Sequence, residues 1–150
     1  FKPPGQLGRD MHQNIFYTEC ESNEVLNVSI ALDNHDPANG SVWYYEGTHN
    51  LGRLPIEVDE DRTKTNPKNW RNERGKPCVM PEGHTFPKLD GYLRRGQIVF
   101  LHSNVVHGSE ENTSNRFRRA FLSGYLREGS NFATGGHMKR QPIDIGSAKV

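Results

Sequence analysis

The fold class of this chain is decided by one alternating segment, which reads Val25-Leu26-Asn27-Val28-Ser29-Ile30-Ala31-Leu32. From Leu26 onward, every second side chain is a large aliphatic one, and the side chains between them are small or polar. Because successive side chains of a β-strand point to opposite faces, this period of two predicts a strand with one apolar face. The other face points either to solvent or to the lumen of a barrel that has room for a ligand.

Further short strands are predicted on the C-terminal side of this segment. They are Ser41–Tyr45, Gln97–Leu101, Val105–Gly108 and Arg118–Arg127. Residues that favour turns separate them, as in the run from Asp33 to Gly40. Many short strands with few helix signals predict an all-β antiparallel sandwich or barrel, and a jelly roll fits this pattern best.

The segment from Arg53 to Tyr92 does not follow this pattern, because it is polar, charged and interrupted by prolines. A loop of this length inside a compact domain usually has a function or is mobile. We therefore predict a loop insertion, residues 53–92, over one mouth of the barrel. A helical turn is predicted near Pro67–Glu73, with Trp70 as an anchor for the loop.

Size and charge narrow the class of protein. A length of 150 residues predicts a single domain over residues 1–150. Nineteen Lys and Arg against eighteen Asp and Glu leave a net charge of +1, which favours neither nucleic acid nor an anionic membrane as a partner. No run approaches the ~18 apolar residues of a membrane helix. We expect a soluble cytoplasmic protein in which Cys20 and Cys78 are reduced thiols; the oligomeric state is not indicated.

A histidine and an arginine in the last third of the chain point to an iron site. His107 lies on a predicted strand, and Arg118 follows eleven residues later (118 − 107 = 11) on the next one. Imidazole is a ligand of Fe(II), and guanidinium carries a permanent charge that pairs with carboxylates. A dioxygenase that uses 2-oxoglutarate needs both groups, the first for its metal and the second for its cosubstrate.

The other half of such a site is expected near His12. A mononuclear Fe(II) site that activates oxygen takes two imidazoles and one carboxylate on one face of the metal, commonly with His-x-Asp on one strand. Here the motif reads His12-Gln13-Asn14, so the spacing is right but the charge is missing. Asn14 offers only a neutral carbonyl oxygen, which should hold iron less tightly. Asp10, two residues before His12, is an alternative carboxylate.

The other histidines have simpler interpretations. His35 lies in a turn and His102 on a strand, and we predict hydrogen-bonding roles for both. His49, His84 and His137 lie in predicted loops, where contact with a substrate is the alternative to no role at all.

Two stretches of the chain carry a family resemblance. The first runs from Ala31 through Asn39-Gly40 to Gly47-Thr48-His49, and the second runs from Gly96 to Arg118. In order and spacing they resemble the phytanoyl-CoA dioxygenase family of Fe(II)/2-oxoglutarate oxygenases. The resemblance covers roughly residues 10 to 127. It implies a double-stranded β-helix, or jelly roll, with the metal at one open end.

The resemblance also implies a role for each candidate site residue. His12 and His107 become iron ligands, Asn14 takes the usual carboxylate position, and Arg118 pairs with the C5 carboxylate of 2-oxoglutarate. The implied cofactors are Fe(II) and 2-oxoglutarate, and the implied partner is a small-molecule substrate. The implied reaction is hydroxylation of that substrate, with decarboxylation of 2-oxoglutarate to succinate.

Several points of this interpretation stay open. Ser109 and Asn112 match motif positions, and we predict that they shape the turn between ligand and arginine. The helical N-terminal part of the family has no counterpart here, so the chain is expected to be a fragment. Asn14 leaves two alternatives, a catalytically impaired pseudoenzyme that binds 2-oxoglutarate and a halogenase. A sugar-binding or isomerase cupin would more typically carry His-x-His.

Overall fold

The computed structural model describes residues 1–17, 20, 24–56 and 77–130, and its strands form two antiparallel sheets. The strands are β1 (Arg9–His12), β2 (Val25–Ala31), β3 (Val42–Tyr45), β4 (Lys88–Asp90), β5 (Ile98–His102), β6 (His107–Ser109) and β7 (Ala120–Leu126). Three short 3-10 turns accompany them, at Asn14–Tyr17, Pro37–Asn39 and Thr48–Leu51. The predicted all-β class is therefore confirmed.

The two sheets have different strand orders. The four-stranded sheet has the order β1-β6-β3-β4, and the three-stranded sheet has the order β5-β2-β7. All five predicted strands are present. Their ends differ from the predicted ones by at most two residues. Within the part of the chain that the structure describes, no helix is long and apolar enough to cross a membrane.

The predicted apolar face of β2 continues across the three-stranded sheet. Leu26 lies opposite His102 and Tyr125, and Ile30 lies opposite Ile98 and Phe121. Several large side chains of this face are exposed, from 40% for Leu26 to 67% for Phe100, whereas Val28 at its centre is buried. The other face holds the buried side chains of Val25 and Ala31, and it is the face that Arg118 shares two residues before β7.

A small hydrophobic core lies on one side of the four-stranded sheet. Leu54, Cys78 and Val106 are buried there, and partly buried apolar side chains pack around them: Met11, Phe16, Tyr45, Leu51 and Met80. Val106 directly precedes His107. Because neighbouring side chains of a strand point to opposite faces, His107 points away from this core.

The segment predicted as a loop insertion is partly built into the fold. Its end contains β4, which pairs with β3 so that Tyr44 lies opposite Leu89. Near its start, Ile56 forms an isolated antiparallel bridge with Cys78. The prediction of a loop throughout 53–92 was wrong for β4, which at three residues is too short to show a period of two. The helical turn near Pro67–Glu73 and the role of Trp70 lie outside the described residues.

Candidate metal and cosubstrate site

Strand pairing brings His12 and His107 together. β1 and β6 are antiparallel neighbours in which His12 lies directly opposite His107, and the two ring centroids are 4.3 Å apart. Both side chains are buried. The two histidines were predicted to share a site from positions 95 residues apart (107 − 12 = 95), and the structure places them in contact.

Each imidazole ring is oriented by a hydrogen bond to the backbone carbonyl oxygen two residues before it. Nδ1 of His12 bonds to the carbonyl oxygen of Asp10 at 2.8 Å, and Nδ1 of His107 bonds to that of Val105 at 2.8 Å. A carbonyl oxygen can only accept, so Nδ1 carries the proton in each neutral ring, and the lone pair is on Nε2. Such a contact fixes the tautomer of a histidine that binds a metal through Nε2.

Burial keeps both rings neutral. Removal from water, and then repulsion from the neighbouring His12, together lower the pKa of His107 to about 3. Burial also lowers the pKa of His12. At neutral pH both rings therefore offer a lone pair, which is the form that coordinates a metal.

The third predicted ligand, Asn14, opens the 3-10 turn that follows β1. The preceding residue, Gln13, is held by hydrogen bonds: its side chain is fully buried, and its Nε2 donates to the carbonyl oxygens of Gly52 and Asn104 at 2.8 and 2.7 Å. Over the described ranges, no third His, Cys, Asp or Glu joins the two histidines in a group that could hold a metal. The alternative ligand Asp10 is therefore not part of such a group, and a carbonyl oxygen of Asn14 remains the predicted third donor.

Arg118 differs from the other two arginines near it. Arg116 pairs with Asp36 at 2.8 Å and Arg119 pairs with Asp33 at 2.7 Å. Arg118 has no ion pair with any described residue, and its Nε is buried without a hydrogen-bond partner. An unpaired guanidinium nitrogen out of contact with water is unfavourable unless a ligand satisfies it. Of this cluster, Arg118 is the arginine that is available for an anion.

Two residues near the site were missed by the sequence interpretation. Tyr44 lies opposite His107 in the β3–β6 pair, with ring centroids 6.4 Å apart, and its hydroxyl pKa is raised by burial. The sequence offered one signal for Tyr44: it neighbours Tyr45 on a predicted strand, so if Tyr45 faces the core, Tyr44 faces the opposite side. Lys2 pairs with Arg118 through the backbone, with N to O distances of 2.9 and 3.0 Å. No pattern in the sequence pointed to Lys2.

The predicted hydrogen-bonding roles are present. His35 bonds through Nε2 to the carbonyl oxygen of Arg119 at 3.0 Å, and His102 accepts at Nδ1 from the backbone N–H of Asn104 at 3.1 Å. The amide of Asn112 donates to the carbonyl oxygens of Lys2 and Arg116 and accepts from Ser114, so Asn112 does shape the turn before Arg118.

Ser109 does more than shape that turn. Its Oγ accepts from the ammonium group of Lys2 at 2.9 Å and from the backbone N–H of Arg9 at 3.3 Å. As the residue two positions after His107 on β6, it shares the face of the sheet that carries the histidine.

Comparison with known proteins gives consistent matches. The family model for phytanoyl-CoA dioxygenase matches residues 1–120. Phytanoyl-CoA dioxygenase domain-containing protein 1 from Bos taurus is 30% identical over 124 residues, which are 81% of this chain and 40% of that protein. The chain thus spans about 40% of the length of the curated relatives that it matches.

Solved structures show the same fold. The non-heme monooxygenase ThoJ matches with a TM-score of 0.67 and 21% identity, over 87% of this chain and 45% of that one. EvdO2 from Micromonospora carbonacea var. aurantiaca, in complex with 2-oxoglutarate, matches with a TM-score of 0.63 and 22% identity, over 93% of this chain and 52% of that one. These neighbours are jelly rolls, so the predicted double-stranded β-helix is confirmed.

Proposed function

The chain belongs to the phytanoyl-CoA dioxygenase family, and from this premise we propose that it acts as an Fe(II)- and 2-oxoglutarate-dependent dioxygenase that hydroxylates a small organic molecule. The observation that carries the proposal is the pairing of His12 and His107 as two neutral, oriented imidazoles. Arg118 supports the cosubstrate, because its buried Nε has no hydrogen-bond partner among the described residues and a guanidinium pairs with carboxylates.

The residues present fit both groups. His12 and His107 would hold iron through Nε2, and Asn14 would offer its carbonyl oxygen as a third, neutral ligand. Arg118 would neutralise the far carboxylate of 2-oxoglutarate. When bound, iron and 2-oxoglutarate supply the oxidising chemistry, with decarboxylation of the cosubstrate to succinate. The chain's own contribution is to orient the two imidazoles through backbone carbonyls and to exclude water from them.

A second candidate function is a pseudoenzyme that binds 2-oxoglutarate but turns over slowly or not at all. It is favoured by one specific observation, which is that no Asp or Glu of the described residues completes a metal-binding group with the two histidines. A neutral third ligand leaves the iron more weakly held, and changes around a metal site cost ~10 to 100-fold in affinity or activity even outside the ligands themselves.

An anaerobic titration separates these two functions from a protein that binds neither group. Fe(II) is added first and 2-oxoglutarate second, and the visible absorption of a chelated Fe(II) centre is recorded. We expect the band to appear only when both are present. No band at saturating iron would overturn both functions.

Oxygen and a panel of small organic substrates are then added to the same sample, and succinate is measured. Succinate above the level without substrate supports the dioxygenase. A band without any succinate supports the pseudoenzyme.

A further inference from the structure

The side chain of Lys2 is buried, hydrogen-bonded and packed against a glycine. Its side chain is 4% exposed, and its ammonium group donates to Oγ of Ser109 and to the carbonyl oxygen of Glu110. The aliphatic stem runs along Gly40, where an added Cβ would lie 2.7 Å from Cε of Lys2. Gly40 also has a positive φ of 72°, so the position beside the stem suits glycine twice over.

The ammonium group of Lys2 has no counter-ion among the residues that the structure describes. No carboxylate of the described residues lies within ion-pair distance of it, and the carboxylate of the neighbouring Glu110 pairs instead with Lys88 at 3.0 Å. Burial, and then the charge of Arg118, lower the pKa of Lys2 to about 8. A buried cation beside a second cation is unfavourable, and a bound anion would remove both the missing partner and the repulsion.

The position of Lys2 connects the two parts of the candidate site. Its ammonium group bonds to Ser109, which lies on the histidine face of β6, two residues from His107. Its backbone is bonded in both directions to Arg118, whose Nε is also buried and without a partner. Lys2 and Arg118 are therefore neighbouring cations without a carboxylate partner among the described residues, and Lys2 bonds to the strand that carries His107.

We propose that Lys2 is a second cosubstrate-binding residue, whose ammonium group holds the far carboxylate of 2-oxoglutarate together with the guanidinium of Arg118. This inference rests on the proposed function. A carboxylate has about four lone-pair positions on two oxygens, more than one guanidinium edge fills. The ammonium group supplies a third charge-assisted hydrogen bond to it.

The test is anaerobic calorimetric titration of 2-oxoglutarate into the Fe(II)-loaded protein and its variants. Lys2→Met keeps most of the stem and removes the charge, and Lys88→Met is the matched control, because Lys88 is an exposed lysine that pairs with Glu110. Since a hydrogen bond to a charged group is lost, we expect roughly 10- to 100-fold weaker binding for Lys2→Met. We expect less than about 2-fold change for Lys88→Met, because exposed pairs contribute little.

A second ligand locates the effect along the cosubstrate. The compound 2-oxopentanoate has the same metal-binding end as 2-oxoglutarate but lacks the far carboxylate. We expect Lys2→Met to bind it as the unchanged protein does. Equal 2-oxoglutarate affinity in Lys2→Met and the unchanged protein would overturn the role of Lys2 while leaving the proposed function intact, whereas no 2-oxoglutarate binding by the unchanged protein would overturn both.

The pH dependence of binding tests the same residue without relying on a variant that folds. The charged groups that act on the ammonium group of Lys2 are Arg118, Arg9, Glu110 and Glu111. Bound carboxylate favours the ammonium form, so binding at pH 8 should take up protons, and affinity should fall about 10-fold from pH 7 to pH 9. Calorimetry in two buffers of different ionisation enthalpy measures the uptake. A flat profile without proton uptake would overturn the proposal, and Lys2→Arg should give that flat profile with affinity retained.

Discussion

The two ends of the candidate site show burial acting on basic side chains with opposite results. At the histidine end, formed by His12 and His107, burial removes the positive charge and leaves two neutral rings. At the cation end, formed by Lys2 and Arg118, the guanidinium keeps its charge at every accessible pH, and it has no carboxylate partner among the described residues. The histidine end is prepared for a cation, and the cation end is prepared for an anion.

This difference follows from the intrinsic pKa of each side chain. Imidazole titrates near 6.5, so a modest desolvation penalty is enough to keep it neutral at pH 7, whereas guanidinium titrates far above neutral pH and stays charged. A ligand that carries a metal-chelating group at one end and a carboxylate at the other matches both ends at once. The chemistry of 2-oxoglutarate has this form.

The largest effect is expected at the histidine end. His107→Ala removes one of the two rings, and we expect metal affinity to fall by at least about 100-fold, since a direct ligand should matter no less than the residues around it. The measurement is Fe(II) or Co(II) binding under anaerobic conditions. His102→Ala is the control, because His102 is also on a strand but bonds to Asn104. Equal losses in both variants would contradict the assignment.

At the cation end, Arg118→Ala should weaken 2-oxoglutarate binding by roughly 10- to 100-fold, because a charge-assisted contact is removed. The matched control is Arg119→Ala, which removes an exposed arginine one residue away that already pairs with Asp33. Calorimetry on the Fe(II)-loaded protein measures both. A cosubstrate affinity that is unchanged in Arg118→Ala would exclude this end as the carboxylate site.

A change of charge should make the histidine end stronger. Asn14→Asp restores the carboxylate of the usual motif, and we expect iron to bind about 10-fold more tightly, with more succinate formed per minute. Asn104→Asp is the control, since it makes the same change at a buried asparagine whose Oδ1 has no hydrogen-bond partner among the described residues. If neither iron affinity nor succinate changes in Asn14→Asp, Asn14 does not lie at the metal.

The smallest effect is expected in the stability of the ligand-free protein. The folded pKa of Lys2, about 8, is below the usual lysine value of 10.5, so the charged form destabilises the fold below pH 8, and this cost disappears as the pH rises toward 10.5. Lys2→Met also loses the hydrogen bond to Ser109, so a net gain of about 1 kcal/mol at pH 7 is expected, which raises Tm by roughly 2–4 °C.

The stability difference should shrink at pH 10, where Lys2 of the unchanged protein is neutral when folded. Thermal unfolding followed by circular dichroism at pH 7 and pH 10 gives both values. Lys88→Met is again the control, because the exposed pair of Lys88 with Glu110 contributes little. A lower Tm for Lys2→Met at pH 7 would mean that the ammonium group stabilises the fold, which contradicts the destabilisation expected from burial of its charge.

Much of the fold was predictable from local patterns. The alternation in β2 and the turn residues around β3 and β5 are properties of neighbouring residues, and these strands lie where they were predicted. The short strand β4 was not predicted, because its pairing with β3 depends on Tyr44 and Leu89 being opposite each other and not on a period within its own three residues.

The candidate site divides in the same way. The residue types and the spacing of His12, Asn14, His107 and Arg118 are visible in the sequence, and they were enough to indicate iron and 2-oxoglutarate. Lys2 was not found, because a lysine is ordinarily a solvated charge. Its burial depends on contacts with Ser109 and Arg118, which are more than 100 residues away in sequence.

The sequence by itself determined which chemical groups are present, because side-chain type and local period are encoded residue by residue. The protonation and burial of these groups depend on the tertiary structure. The neutrality of His107, the burial of Nε of Arg118 and the burial of Lys2 all result from the removal of water by strands that are distant in sequence. Desolvation depends on what surrounds a group in space, so it cannot be read from the group's neighbours along the chain.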